Sequence, residues 1–122
     1  MEISVTEMAG VTILKPMNER LDAHNSDTLK EAMKVAFERG AKKVLVDLGQ
    51  VRFIDSSGLG ALVSGFKNSV SNRGRLALSC LQGQVQSMFE LTRLHRVFDI
   101  YEGVDEALAS FAKRDASGEQ RG

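Results

Sequence analysis

The chain has 122 residues, of which 43% are hydrophobic, and its 16 Lys and Arg residues balance 16 Asp and Glu residues. This length is typical of a single domain and is enough to bury a core without metal ions or disulfides. Balanced charge argues against binding to nucleic acid or to a membrane surface, since both need an excess of basic residues.

The N-terminus gives no sign of export or membrane insertion. Residues 1–4 lack the basic and apolar regions of a signal peptide. No apolar run approaches the roughly 20 residues that a membrane-spanning helix needs. A single cysteine, Cys80, allows no internal disulfide, which fits a reducing compartment. We therefore expect a cytoplasmic protein.

The first predicted elements are a β-hairpin and a helix. Residues 2–8 and 11–17 favour strands separated by Ala9-Gly10, and Pro16 closes the second strand. The polar residues 18–26 are typical of a turn. Ser26 and Asp27 can cap a helix. The helix carries an apolar stripe and ends at Gly40; the stripe comprises Leu29, Met33, Ala36 and Phe37.

Strands and helices alternate along the rest of the chain. Short apolar runs predict three strands, and apolar residues at helical spacing predict three helices. In chain order we expect a strand at 44–48, a helix over about 57–72, a strand at 76–80, a helix near 85–92, a strand at 97–101 and a helix over about 104–111.

This order predicts the fold class. Alternating strands and helices after a hairpin are typical of an α/β domain with a mixed sheet. We expect one domain over residues 1–113, with four or five strands and about four helices packed on the sheet. Residues 114–122 are polar and contain glycine, so we expect a disordered tail there.

The most informative segment runs from Phe53 to Gly60, with the sequence Phe-Ile-Asp-Ser-Ser-Gly-Leu-Gly. Asp and Ser side chains accept hydrogen bonds from the free N–H groups at a helix N-terminus, so Asp55-Ser56-Ser57 can be interpreted as a helix cap. A cap does not explain Gly58 and Gly60, since each disfavours a helix by roughly 1 kcal/mol relative to Ala. Close approach of another surface would explain them.

The helix after this segment has two contrasting faces at 100° per residue. An apolar face is expected to join the core, and it comprises Leu59, Leu62, Val63, Phe66 and Val70. The opposite face is small and nearly uncharged, with Ser57, Gly60, Ala61, Ser64 and Gly65. We interpret Gly60, Ala61, Ser64 and Gly65 as a docking surface for a protein partner. The alternative is a surface helix that is merely poor in charge.

Ser56 is the candidate regulatory residue. It is predicted to lie at the start of the helix, where backbone N–H groups and the helix dipole favour an anion. A phosphate there would add up to two negative charges and strong acceptor oxygens. Asp55 beside it would oppose the phosphate by like-charge repulsion. The segment is therefore suited to a phosphoserine.

These residues resemble the STAS-domain proteins that act as anti-sigma-factor antagonists. The similarity rests on residues 55–60, preceded by Val46-Asp47-Leu48 and by Val51-Arg52-Phe53-Ile54, and it extends over about residues 3–112. Residues 20–23, Arg-Leu-Asp-Ala, also resemble the family's Gly-x-Leu-Asp segment. Glu19 and Arg20 replace the usual glycine of that segment.

The resemblance implies a phosphorylation-controlled binding protein and not an enzyme, with no cofactor, metal site or catalytic residue. Ser56 would be the phosphoacceptor, and Asp22, Asp55, Ser57 and Gly58 would shape the site. The implied partners are an anti-sigma factor, often also a serine kinase of histidine-kinase-like fold, and a serine phosphatase. The unphosphorylated form would bind the anti-sigma factor, and phosphorylation would release it.

Other functions stay open at this point. A STAS regulator of biofilm formation, secretion or a transport assembly would have a similar sequence. A small ligand-binding or hydrolytic protein could use a pocket at Ser56, with His24 or His95 as the base. Ser56 lacks the Gly-x-Ser-x-Gly turn of hydrolases, and the Cys and His residues lack metal-binding spacing. Cys80 is interpreted as a buried apolar residue.

Overall fold

The computed structural model describes the backbone of residues 1–121 and the side chains of residues 1–113. The tail expected at 114–122 therefore lies outside the fully described residues and stays a prediction. The elements are β1 (Ile3–Met8), β2 (Val11–Pro16), β3 (Arg20–Leu21), α1 (Ser26–Glu38), β4 (Lys43–Asp47), β5 (Phe53–Ile54), α2 (Ser56–Ser71), β6 (Arg75–Ser79), α3 (Gly83–Leu91), a 3-10 turn (Leu94–Arg96), β7 (Asp99–Tyr101) and α4 (Val104–Arg121).

Five strands form one mixed sheet in the order β1-β2-β4-β6-β7. The hairpin of β1 and β2 is antiparallel, and the pairs β2–β4, β4–β6 and β6–β7 are parallel. The mixed α/β fold expected from the alternation of elements is confirmed. A second sheet of two strands, β3 and β5, was not expected from the sequence.

The hairpin turn at Ala9-Gly10 takes left-handed backbone angles at both residues. Their φ angles are 54° at Ala9 and 79° at Gly10. Such turns match the right-handed twist of the two strands that they join. The turn sets the register in which Met8 faces Val11 and Ile3 faces Pro16.

The core has two layers because successive strand residues point to opposite faces of the sheet. On one face, α1, α2 and α3 cover the larger cluster, which includes Leu14, Val46 and Leu78. On the other face, α4 covers Ile13, Leu45 and Ala77 with Ala107 and Phe111. The apolar run of β4 is therefore buried on both faces, as its sequence predicts.

Among the described residues, no helix combines the length and the hydrophobicity that a membrane span requires.

Candidate functional site

The small sheet of β3 and β5 brings two loops together at the start of α2. Leu21 pairs with Ile54 in parallel register, and the Asp55 N–H donates to the Leu21 carbonyl oxygen at 3.3 Å. Because the two strands are parallel, their C-terminal ends lie side by side. Asp22, which follows β3, and Asp55, which follows β5, are therefore equivalent positions at that end of the small sheet. The structure thus brings the Leu-Asp segment next to the Asp-Ser-Ser segment.

Gln84, in the first turn of α3, fixes β5 from its other side. Its Nε2 donates to the Ile54 carbonyl at 2.9 Å, and its Oε1 accepts from the Ile54 N–H at 2.9 Å. The side-chain amide thereby makes the two hydrogen bonds to Ile54 that the backbone of a neighbouring strand would make. Sequence reasoning missed Gln84, since no local pattern shows that an amide from residue 84 pairs with a strand 30 residues earlier.

Asp55 caps α2, as the sequence predicts. Its Oδ1 accepts from the Gly58 N–H at 3.0 Å, and its backbone is extended, with φ −111° and ψ −173°. Ser56 is the first helical residue, one position before the expected start, and its side chain is exposed. The hydroxyl is therefore accessible to another protein. The half-buried Ser57 follows it.

Gly58 is required by the close approach of the β3 loop. A β-carbon there would stand 2.5 Å from the Leu21 carbonyl oxygen and 2.6 Å from Ile54 Cγ1. Gly60 is different, since it is exposed and a β-carbon would meet no atom within 4 Å. Close approach thus explains Gly58, and nothing in the described part of the chain explains Gly60.

The Asp22 loop holds itself in place through its own polar groups. Asp22 Oδ1 accepts from the His24 N–H at 3.0 Å, and the Asp22 N–H donates to Asn25 Oδ1 at 2.9 Å. Asn25 Nδ2 also donates to the Arg20 carbonyl at 2.8 Å. Asn25 is the residue before α1, so the expected cap at Ser26-Asp27 is wrong because α1 already begins at Ser26.

Arg20 adds a cation to this loop. Its Nε lies 3.5 Å from Asp22 Oδ2, and its guanidinium lies 4.1 Å from the centre of the Phe53 ring. Arg20 therefore links Asp22 of one loop to Phe53 of the other. The pairing of β3 with β5 and the contacts of Arg20 place Asp22 near the start of α2. Among the described hydrogen bonds and ion pairs, none joins Asp22 to Ser56.

Neither histidine has a described contact with Ser56. His24 is exposed, and the described contacts of its loop do not join its ring to Ser56. His95 is near the end of α3, with Nδ1 3.2 Å from the Phe89 carbonyl oxygen. Among the described residues, no group of three His, Cys, Asp or Glu side chains is arranged to hold a metal ion.

The proposed docking face of α2 is partly wrong. Ala61 is 4% exposed, and Gly65 is buried where a β-carbon would overlap Met33 Sδ of α1. Gly65 lets α1 and α2 pack closely, and because both residues are buried, neither is available to a partner. Val70, which was expected in the core, is 63% exposed.

The accessible surface of α2 is a stripe that begins at Ser56. We call it the outer stripe; it comprises Ser56, Gly60, Val63, Lys67 and Val70, of which Val63 is half-buried. These residues recur at helical spacing along one side of α2. Ser64 lies beside the stripe and lines an open groove between α1 and α2 that also contains Lys30 and Lys34. Gly60 and Ser64 thus remain candidates for partner contact.

Cys80 lies outside this site and is half-buried, not fully buried as expected. It follows β6 in a left-handed conformation, with φ 64°. Burial raises the pKa of its thiol, the Ser79 hydroxyl opposes that change, and the nearby Asp47 carboxylate adds to it. The position therefore favours the neutral thiol.

Comparison with known proteins gives a consistent result. Residues 2–107 match the family model of the STAS domain. The anti-sigma F factor antagonist of Paenibacillus polymyxa is 28% identical over 109 residues, which cover 88% of this chain and 92% of that protein. The anti-sigma-B factor antagonist of Listeria monocytogenes is 31% identical over 80 residues, covering 66% of this chain and 70% of that protein.

A solved structure agrees with this relationship. The anti-sigma-factor antagonist (STAS) domain protein from Planctomyces limnophilus superimposes with a TM-score of 0.81 at 28% identity. The match covers 90% of this chain and 97% of that one. The fold and the sequence motif therefore point to the same group of proteins.

Proposed function

The chain belongs to the STAS domain family, and on that basis we propose that it is an anti-sigma factor antagonist whose binding is controlled by phosphorylation of Ser56. The observation that carries the proposal is the exposed Ser56 hydroxyl at the first position of α2, inside a loop framework fixed on two sides. A regulatory kinase needs an accessible hydroxyl, and Ser56 supplies one. The partner would be an anti-sigma factor that is also a serine kinase of histidine-kinase-like fold.

The unphosphorylated protein is the binding form in this proposal. Around Ser56, the outer stripe offers Gly60, Val63 and Val70, a surface with little charge apart from Lys67. A partner can cover such a surface closely because few charged groups lose their hydration. The contact would sequester the anti-sigma factor and release its sigma factor.

Phosphorylation would weaken this contact locally. The phosphate would stand beside the Asp55 carboxylate, and a close-fitting partner would have to bury the added charge. Burying an unpaired charge costs several kcal/mol, and like-charge juxtaposition adds to that cost. A hundredfold loss of affinity needs only about 2.7 kcal/mol, so refolding of the domain is unnecessary. A serine phosphatase would restore the binding form.

The proposal is tested by calorimetry with the anti-sigma factor and four forms of the protein: unmodified, phosphorylated, Ser56→Ala and Ser56→Asp. We expect Ser56→Ala to bind like the unmodified protein and the other two to bind at least tenfold more weakly. Ser71→Asp, at the exposed C-terminal end of the same helix, is the control and should bind normally. Equal affinity of all forms would refute the switch.

A regulator of secretion, biofilm formation or transport would use the same site with another partner. Mass spectrometry of protein from its native host separates a phosphorylation switch, with whichever partner, from a hydrolytic protein, since a phosphate on Ser56 supports the switch. A hydrolytic protein would instead react at Ser56 with serine-directed probes. That result would argue against the proposed function.

A further inference from the structure

The edge strand β1 is a second surface suited to binding, on a different part of the molecule from α2. In the described part of the chain, β1 pairs with β2 alone. Its residues from Ser4 to Met8 are all exposed, and Val5 is 61% exposed. Natural edge strands are commonly protected by charged residues, especially lysine, by proline or by a bulge; β1 contains neither Lys nor Pro, and Glu7 is its single charged residue.

The backbone of β1 offers hydrogen bonds at alternate residues. The Glu2 carbonyl accepts from the Met17 N–H at 2.9 Å, so the backbone groups of Glu2 point towards β2. In a regular antiparallel pair this direction alternates along the strand. Ile3, Val5 and Glu7 therefore direct their N–H and C=O groups away from the sheet.

The same three side chains line an open groove between β1 and α1. The groove has a volume of about 1200 Å³ and an apolar middle formed by residues such as Val5, Leu14 and Val35. Asp27 and Glu31 lie at the end where α1 begins, and Arg39 lies at the end where it stops. Glu7 lies at the same end of the groove as Arg39. Glu7 faces Thr12 on β2, and Thr12 pairs with Val44, at the start of the strand that follows α1.

We propose that β1 pairs with β1 of a second copy of this chain, antiparallel and about a twofold axis at Val5. Val5 then faces Val5, and Ile3 faces Glu7, so every outward-directed residue of the strand exchanges backbone hydrogen bonds. A shift of one residue would place side chains on the wrong face of the sheet. A shift of two would leave Ile3 or Glu7 without a partner inside the strand.

Charge supports the same arrangement. With the axis at Val5, Glu2 faces Met8 and Glu7 faces Ile3, so no glutamate opposes another. The twofold axis also reverses the direction of the groove in the second copy. The end with Asp27 and Glu31 in one copy therefore lies next to the end with Arg39 in the other. A parallel arrangement would instead align like ends. The axis also brings Glu7 to the acidic end of the other groove, but Arg39 and Lys42 outnumber Glu7 at their own end, so the two groove ends that meet remain opposite in net charge.

The pairing leaves the outer stripe uncovered, because it uses no residue of α2. Ser56 stays exposed in both copies, and the dimer presents two separate switch sites on one ten-stranded sheet. Failure of the dimer would thus leave the proposed function untouched.

The first test is the solution mass of the full chain by sedimentation over a series of concentrations. We expect a concentration-dependent dimer whose dissociation constant rises at least tenfold in Val5→Lys, because two like charges would face each other across the axis. Val70→Lys is the matched control, since Val70 is 63% exposed against 61% for Val5, and it should dimerise normally. A wild-type monomer at all concentrations, or equal effects of both variants, would overturn the proposal.

A second test fixes the register. In a Cys80→Ser background, Val5→Cys should form a disulfide-linked dimer in oxidised glutathione, because directly paired Cα atoms stand about 5.5 Å apart, within disulfide reach. In Thr6→Cys the two thiols would lie on Cα atoms about 8 Å apart, by strand spacing, and should not link. Efficient linkage at position 6 alone, or at neither position, would contradict pairing at Val5.

Discussion

Gly58 lies so close to Leu21 that a β-carbon on Gly58 would stand 2.5 Å from the Leu21 carbonyl oxygen. That carbonyl also accepts from the Asp55 N–H at 3.3 Å. The glycine that follows the two serines is therefore needed to let the Leu-Asp loop reach the start of α2. The motif residues and the loop form one structural unit.

We expect Gly58→Ala to destabilise the protein, because the obstructing atom is backbone and cannot move aside cheaply. Overpacking of a close-packed region costs about 1–3 kcal/mol, which should lower the free energy of unfolding measured in urea. Gly60→Ala is the control two residues away, where a β-carbon meets no atom within 4 Å. Since Ala favours a helix by up to about 1 kcal/mol over Gly, this change should be neutral or stabilising. Equal losses at both positions would contradict the contact.

Gln84 should matter for stability although it lies on the short helix α3. Gln84→Ala removes both partners of the Ile54 backbone, and an unsatisfied buried polar group costs about 1–3 kcal/mol. We therefore expect a lower urea midpoint and faster amide hydrogen exchange at Ile54. Gln86→Ala, at a half-buried position of the same helix, is the control and should change little. Unchanged exchange at Ile54 in Gln84→Ala would show that the bridge contributes nothing.

The sequence predicted those features that local pattern determines. The run of apolar residues in β4 indicated burial on both faces, and Asp55 indicated a helix start, because strand burial and capping depend on adjacent residues. It missed β3 and β5, since each has two residues and forms only by pairing with the other. No periodicity can mark so short a strand.

The error on α2 has a specific physical cause. Gly65 is small because Met33 of α1 packs against it, whereas Gly60 is small and exposed. Residue size alone does not distinguish a helix face that meets another helix from one that meets solvent. Only the position of Met33, which lies on a different helix, separates the two cases.

Cys80 should react slowly with iodoacetamide near pH 8.5. Burial and the Asp47 carboxylate raise the pKa of its thiol, so the reactive thiolate forms at higher pH in the folded chain than in urea. A raised pKa stabilises the folded state below the unfolded thiol's pKa, about 8.5, and this contribution is lost as pH rises through the folded value. The measurement is the alkylation rate against pH, with the urea-unfolded chain as reference. Identical pH profiles would contradict the effect of burial.

The outer stripe gives the sharpest test of partner docking, because one residue in it accepts bulk without strain. Gly60→Arg places a long cation beside Ser56 at a site where the structure has open space, and Arg favours a helix more than Gly does. Stability should therefore stay equal or rise, while affinity for the anti-sigma factor falls at least tenfold by steric exclusion at the centre of the contact. Ala109→Arg is the matched control, since Ala109 is an exposed small residue on α4, across the sheet from α2. Binding is measured by calorimetry and folding by thermal unfolding. Normal binding by a folded Gly60→Arg protein would place the docking surface elsewhere, and an equal loss in Ala109→Arg would mean that added charge, not position, weakens the contact.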